Sequence, residues 1–320
     1  MFIVDFIKAV SCVLIFLHHC NTILPGEWKF LTLFGQDLGN NLFFMVSGFS
    51  LYPSIKSTSL NKAPIWYLKR LSKIMPFIIV SYILSYCTGF YSLNNPMQIF
   101  AVFIFPTLYW FISAILIFYI ILFILGKILP NGLMPFISIL LLLMSQLRMS
   151  HIESFYFLGL SAMILGFFTR SLSKTQTTKP FSPTSSPLTL ALLLTSTLIY
   201  LLTKFNAGLF RDSINHFLNS ISVLSMGSSI LYIGAIHDEL FSKLINEKAR
   251  RIFRWLGQMA LPVYIVQCFN SGAIGFKIGE SVPFPLSFLI NLFCVWGPAA
   301  LLHLAINFLN RHHFFMKFRP

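Results

Sequence analysis

Long apolar stretches alternate along the chain with short clusters of charged residues, proline, glycine and serine. The stretches fall at about 4–23, 38–52, 75–91, 109–129, 132–147, 152–169, 188–203, 216–236, 256–275 and 284–308. Crossing the hydrocarbon core of a bilayer takes about 20 helical residues, so the pattern predicts an all-α integral membrane protein with about ten transmembrane helices. The second stretch is short for a span and is interrupted by Gly39, Asn40, Asn41, Ser47 and Gly48, which predicts a broken or re-entrant segment. The stretch 96–106, ending in Pro106, is a second candidate for partial insertion. The polar segment 170–187, RSLSKTQTTKPFSPTSSP, reads as a solvated linker between groups of helices. No internal repeat of fixed period is visible, so residues 1–320 are taken as one membrane-embedded domain.

Composition removes the soluble classes. Apolar residues make up 56% of the 320 and charged residues only 10%, against about 25% charged in soluble domains, and mean hydropathy is +0.78. The net charge of +14 could serve nucleic acid, anionic lipid or simple topology. Location decides between them. With the amino terminus in the cytoplasm and ten alternating helices, seventeen of the 23 basic residues fall in inside segments. Only Lys29, Arg148, Lys204, Arg211 and Lys277 fall outside, and Lys8 lies within the first helix. The positive-inside rule therefore places both termini in the cytoplasm, makes 170–187 a cytoplasmic linker, and removes nucleic acid as a partner. The first apolar run carries Asp5, Lys8, His18 and His19 and has no small-residue cleavage site, so it is expected to remain as a helix and not to be a cleaved signal peptide. Residues 237–254 alternate charged and apolar positions at helical spacing, as an amphipathic helix on the inner leaflet would. The five cysteines, Cys12, Cys20, Cys87, Cys268 and Cys294, show no CxxC spacing and sit in apolar runs. They read as small buried hydrophobes, with no metal site implied.

Three segments carry candidate chemistry. Ionisable residues at membrane depth are costly and tend to be functional, and four share the first helix. Lys8 and His19, eleven residues apart, lie only about 20° apart on one face and about 16 Å apart along the axis, whereas His18 points about 80° away. Histidine suits proton transfer near neutrality, although beside Asn21 and Thr22 the pair also suits a polar outer interface without chemistry. The small and polar residues of 39–52, GNNLFFMVSGFSLY, suit close approach of a ligand or plain helix packing. In 66–77, WYLKRLSKIMPF, the cluster Lys69, Arg70 and Lys73 suits an anionic ligand such as a phosphate-bearing cofactor, or an anionic-lipid anchor. His216 and His303 read as packing or interface histidines, and Asp37 as an outer-surface cap. On these features alone, a transporter or flippase for a lipid-linked sugar or small solute fits as well as an enzyme.

The segments also occur in a telling order. Asp5-Phe-Ile-Lys8 followed by His19, Asn41-Leu-Phe-Phe-Met-Val-Ser47-Gly48-Phe49, Lys69-Arg70-x-x-Lys73-x-x-Pro76 and Tyr109-Trp110-Phe111 resemble the acyltransferase-3 family of integral-membrane acyltransferases. Weaker likeness continues through Gly159–Gly166 and Leu256 to Tyr264. The resemblance implies a multi-pass protein of the plasma (inner) membrane. Such an enzyme moves an acyl group, by preference acetyl, from cytoplasmic acyl-CoA to a hydroxyl of a carbohydrate such as a cell-surface polysaccharide or its lipid-linked precursor. It implies His19 as general base or acyl relay, Lys8, Arg70 and Lys73 as binders of the coenzyme phosphates, and Asn41, Ser47, Gly48 and Trp110 as pocket residues. Acyl-CoA, membrane lipid and the carbohydrate acceptor are then the partners, no metal is required, and a homo-oligomer is compatible with such a fold. Two departures matter. Lys8 and Lys73 stand where the family pattern has arginine, keeping the charge but losing the bidentate fork. Tyr264-Ile-Val-Gln267 stands where relatives commonly show Tyr-Leu-x-His, so no role of that later histidine transfers.

Overall fold

The computed structural model describes residues 1–87, 110–147, 151–177, 185–205, 212–273 and 281–311, and every regular element among them is helical. Helix α1 (Phe2–His19) leads through two short helical turns, Gly26–Thr32 and Gly35–Gly39, into α2 (Asn40–Ser57). There follow α3 (Ala63–Cys87), α4 (Trp110–Ile128), α5 (Met134–Met144), α6 (His151–Thr177) and α7 (Ser185–Phe205). The chain closes with α8 (Asp212–Ile236), the short α9 (Asp238–Leu244), α10 (Glu247–Ala273) and α11 (Leu286–Arg311). Among the described residues six helices, α1, α4, α6, α7, α8 and α11, are long and apolar enough to cross a membrane. Leu188, Phe293, Leu301 and Leu304 stand 63–75% exposed on them, an outer surface suited to lipid.

Cross-links at the two ends show how the helices run. At one end the Arg170 guanidinium meets Met1, the Ile3 N–H donates to Asp238, Arg254 pairs with Asp5, and Lys56 donates to the Gly126 carbonyl. At the other, Asp37 joins Lys204 and Asn219, Gln146 meets His216, and Asn291 donates to Cys20. Consecutive long helices therefore point in opposite directions, and the start of α1 and the end of α11 share the end that holds Lys8.

The tightest contact is the crossing of α2 and α6. A Cβ on Gly48 would lie 1.9 Å from the Met163 carbonyl oxygen, and one on Gly166 would lie 1.9 Å from that of Met45. Without water to drive association, such small-residue contacts are a main source of helix attraction in lipid. Between α5 and α6, Ser138 and Ser161 each donate to the other's carbonyl, at 3.1 and 2.8 Å. At the Lys8 end Lys127 returns the bond of Lys56 by donating to the Lys56 carbonyl, satisfying carbonyls that the helix ends leave open.

Several elements differ from the sequence-based expectation. The stretch expected to be broken at 38–52 is continuous helix over Asn40–Ser57, because Ser47 and Ser50 donate back to the Phe43 and Val46 carbonyls, both at 2.7 Å, and Gly48 is used for the crossing. The irregular chain lies before it, at 26–39. The third helix begins at Ala63, so Lys69, Arg70 and Lys73 ride on the helix itself. The linker expected at 170–187 is helical up to Thr177 and again from Ser185. There Ser173 donates to the Arg170 carbonyl, and Arg170 lies 5.0 Å over the Phe49 ring. The amphipathic block 237–254 breaks at Ile245–Asn246, where the Asn246 side chain accepts from the Ala249 N–H as an N-cap. On either side, hydrogen bonds from Lys243 to Glu239 and from Arg251 to Glu247 hold both carboxyls below their ordinary range. The candidate insertion at 96–106, Tyr109 and the side chains of Cys87 and Cys268 lie outside the described residues.

Candidate functional site

The site is built on α1, whose Lys8–His19 stripe faces α10, α2 and α4. At the Lys8 end, Gly257 of α10 lets the helices close: a Cβ there would lie 2.9 Å from the Asp5 carbonyl and 3.3 Å from the Lys8 Cβ. Arg254 takes up the Asp5 carboxylate at 3.7 Å. Arg70 donates to the Ser54 hydroxyl at 2.9 Å and lies 5.6 Å over the Trp66 ring, whose indole N–H shares the same hydroxyl at 3.3 Å. Lys8, Arg70 and Lys73 lie within electrostatic reach of one another. Three cations thus converge at one mouth, with the Asp5 carboxylate shared between Lys8 and Arg254. Excess positive charge gathered in a low-dielectric wall attracts anions.

At the other end of the stripe the two histidines part company. His18 Nδ1 meets the Thr32 carbonyl at 2.9 Å, and a Cβ on Gly35 would lie 2.3 Å from the His18 Cβ, so His18 fastens the irregular chain at 26–39 to α1. His19 is half-buried, touches His18 edge-on at 5.5 Å, and makes no hydrogen bond among the described residues. Between Lys8 and His19 on the same stripe lies a narrow cavity lined by Cys12, Ile15, Phe43, Phe111, Tyr264 and Gln267, with residues 260–263 of α10 closing its side. Its free volume of about 10 Å³ is room for about one water molecule. Phe111 lies 5.2 Å from Phe43 and 4.8 Å from Tyr264, ring centre to ring centre, and the three rings form the narrow part of the wall.

The pocket residues expected from sequence, Asn41, Ser47, Gly48 and Trp110, are not among those that line this cavity. Trp110 stacks on Phe155 at 5.7 Å, packs near Phe44 and accepts at its carbonyl from the Tyr156 hydroxyl, supporting Phe111 from behind. Asn41 donates at 2.7 Å to the Asp37 carbonyl, and Ser47 and Gly48 are occupied within α2 and at its crossing with α6. Of α2 it is Phe43 that reaches the cavity. Asp37 is not a surface cap: its carboxylate accepts from Lys204 and, at 2.9 Å, from Asn219, with both ionic side chains under 20% exposed. Lys204→Met would leave that carboxylate without its counter-charge and is expected to lower stability by about 3 kcal/mol. Thermal unfolding in detergent measures it, and an unshifted transition would show the pair to be worth no more than a surface bridge. Sequence reasoning missed Ser54, the anchor of Arg70, and Arg170, which lies over Phe49. The i, i+16 spacing of Ser54 and Arg70 crosses a turn between helices, and no local pattern marks it.

An apolar-skinned helical bundle with a cationic mouth and a half-buried imidazole on one stripe defines a multi-pass membrane protein with a candidate internal site. The chain belongs to the acyltransferase-3 family: its acyltransferase domain matches residues 2–314, essentially the whole chain. No curated protein and no solved structure matches it.

Proposed function

We propose that the chain is an O-acyltransferase of the plasma membrane that takes an acyl group, acetyl by preference, from cytoplasmic acyl-CoA to a hydroxyl of a carbohydrate of the cell surface or its lipid-linked precursor. The observation that carries this reading is the stripe: three cations at one mouth, His19 about 16 Å further along α1, and the cavity on the line between them. That distance suits a pantetheine arm whose phosphates stay with Lys8, Arg70 and Lys73 while the thioester reaches the imidazole. His19 removes the proton of the acceptor hydroxyl, the oxygen attacks the thioester carbonyl carbon, the carbon–sulfur bond breaks, and the leaving thiolate takes the proton back from the imidazolium. His18 holds its Nδ1 on the Thr32 carbonyl, so His19 is the member of the pair with both ring nitrogens unengaged among the described residues.

The test supplies membranes containing the protein with acyl-labelled coenzyme A and follows the label into carbohydrate by mass spectrometry. Label in an ester supports the reading; a solute that crosses chemically unchanged marks a transporter or flippase instead. The cationic mouth has its own signature. Lys8→Met and Arg70→Ala are each expected to raise the donor KM by about 10-fold or more, since hydrogen bonds to charged groups contribute about 1.5–3 kcal/mol. Lys8→Met should at the same time leave stability unchanged or higher, because burying the ammonium costs more in lost hydration than its attraction to Asp5 returns. An unchanged KM would remove both residues from donor binding.

A further inference from the structure

Gln267 is 2% exposed, and among the described residues neither its Nε2 nor its Oε1 has a hydrogen-bond partner. It lines the cavity on the Lys8–His19 stripe, together with Cys12 and Ile15 of α1. A buried amide with both ends unpaired costs about 1–3 kcal/mol for each group left dry, and native interiors rarely tolerate that without a ligand or water to complete it. The rest of the lining offers apolar side chains, a thiol and the Tyr264 ring.

Depth ties this amide to the reacting centre. Gly257 packs level with Asp5 and Lys8, and α10 runs parallel to α1 from there. Ten residues on, about 15 Å along the axis, Gln267 stands within about one helical turn of the level of His19, on the cavity it shares with Cys12 and Ile15. We infer that Gln267 is a catalytic residue whose Nε2 donates to the carbonyl oxygen of the acyl thioester and holds the oxyanion formed when the acceptor oxygen attacks. The negative charge rests on that oxygen until the carbon–sulfur bond breaks and the carbonyl re-forms, so the donor is stronger in the transition state than in the ground state. An unpaired amide in an apolar wall suits this task, since no competing hydrogen bond has to break as charge develops. The inference rests on the acyltransferase reading.

The experiment compares wild type, Gln267→Leu and Gln267→Glu in membranes given acyl-labelled coenzyme A. Gln267→Leu removes an unpaired polar group, so it should fold at least as well, with an unchanged or higher melting temperature. Its kcat should fall by about 10²–10³-fold with the donor KM nearly unchanged. Gln267→Glu should be as slow or slower, because a carboxylate opposes the developing charge. Wild-type transfer matched by Gln267→Leu overturns the oxyanion role while leaving the acyltransferase reading standing. A wild type that transfers no label overturns that reading, and this inference with it.

Discussion

His19→Ala is expected to reduce acyl transfer by about 10²–10⁴-fold, the contribution of a positioned general base, with protein level and fold preserved. Fold is preserved because the ring has no hydrogen bond to lose among the described residues and is only half-buried. The neighbouring substitution separates chemistry from architecture. His18→Ala removes the 2.9 Å contact with the Thr32 carbonyl, which should cost about 1 kcal/mol of stability and leave most of the transfer rate. Rates of label transfer beside thermal unfolding of the same preparations distinguish the two. Full activity in His19→Ala, or loss in His18→Ala alone, would reverse the assignment within the pair.

The second large effect is structural. Gly48 and Gly166 each face a backbone carbonyl of the opposite helix at 1.9 Å from where a Cβ would stand. A flexible side chain could yield, but a helix backbone moves only as a whole. Alanine at either position is expected to cost about 3 kcal/mol, the upper end of ordinary overpacking, despite the gain of up to about 1 kcal/mol in helix propensity. Leucine should prevent α2 and α6 from docking at all. Gly132, with open space around it, is the control, and its alanine variant should melt with wild type. Equal melting of all three alanine variants would mean that the crossing is looser than its geometry.

The sequence made the stripe legible because helical periodicity alone places Lys8 and His19 on one face, and the cavity falls on that line. Convergence of Arg70 and Lys73 on Lys8 was legible only through the family's motif order, since α3 is brought towards α1 by its packing on α10. Two kinds of position misled local reasoning. Ser47, Gly48 and Ser50 look like interruptions of an apolar run, yet back-bonded hydroxyls and a close helix crossing absorb them. Arg170 and Ser173 look like the start of a solvated linker, yet an aromatic face and a carbonyl one turn back keep them helical. Asp37 shows the limit most plainly: its counter-ion is 167 residues away, beyond any periodic pattern. Gln267 stood out only as a departure from the family's histidine, and its unpaired amide became visible once α10 was laid against α1.

The narrow waist beside Phe43, Phe111 and Tyr264 has a consequence for bioenergetics. A site fed by a charged donor at one end and a polar acceptor at the other would, as an open aqueous channel, let protons run down the membrane potential, at about 2.3 kcal/mol per charge for each 100 mV. With room for about one water and aromatic walls on three helices, the waist among the described residues is too narrow for a continuous water file, and whatever threads it fills it as it enters.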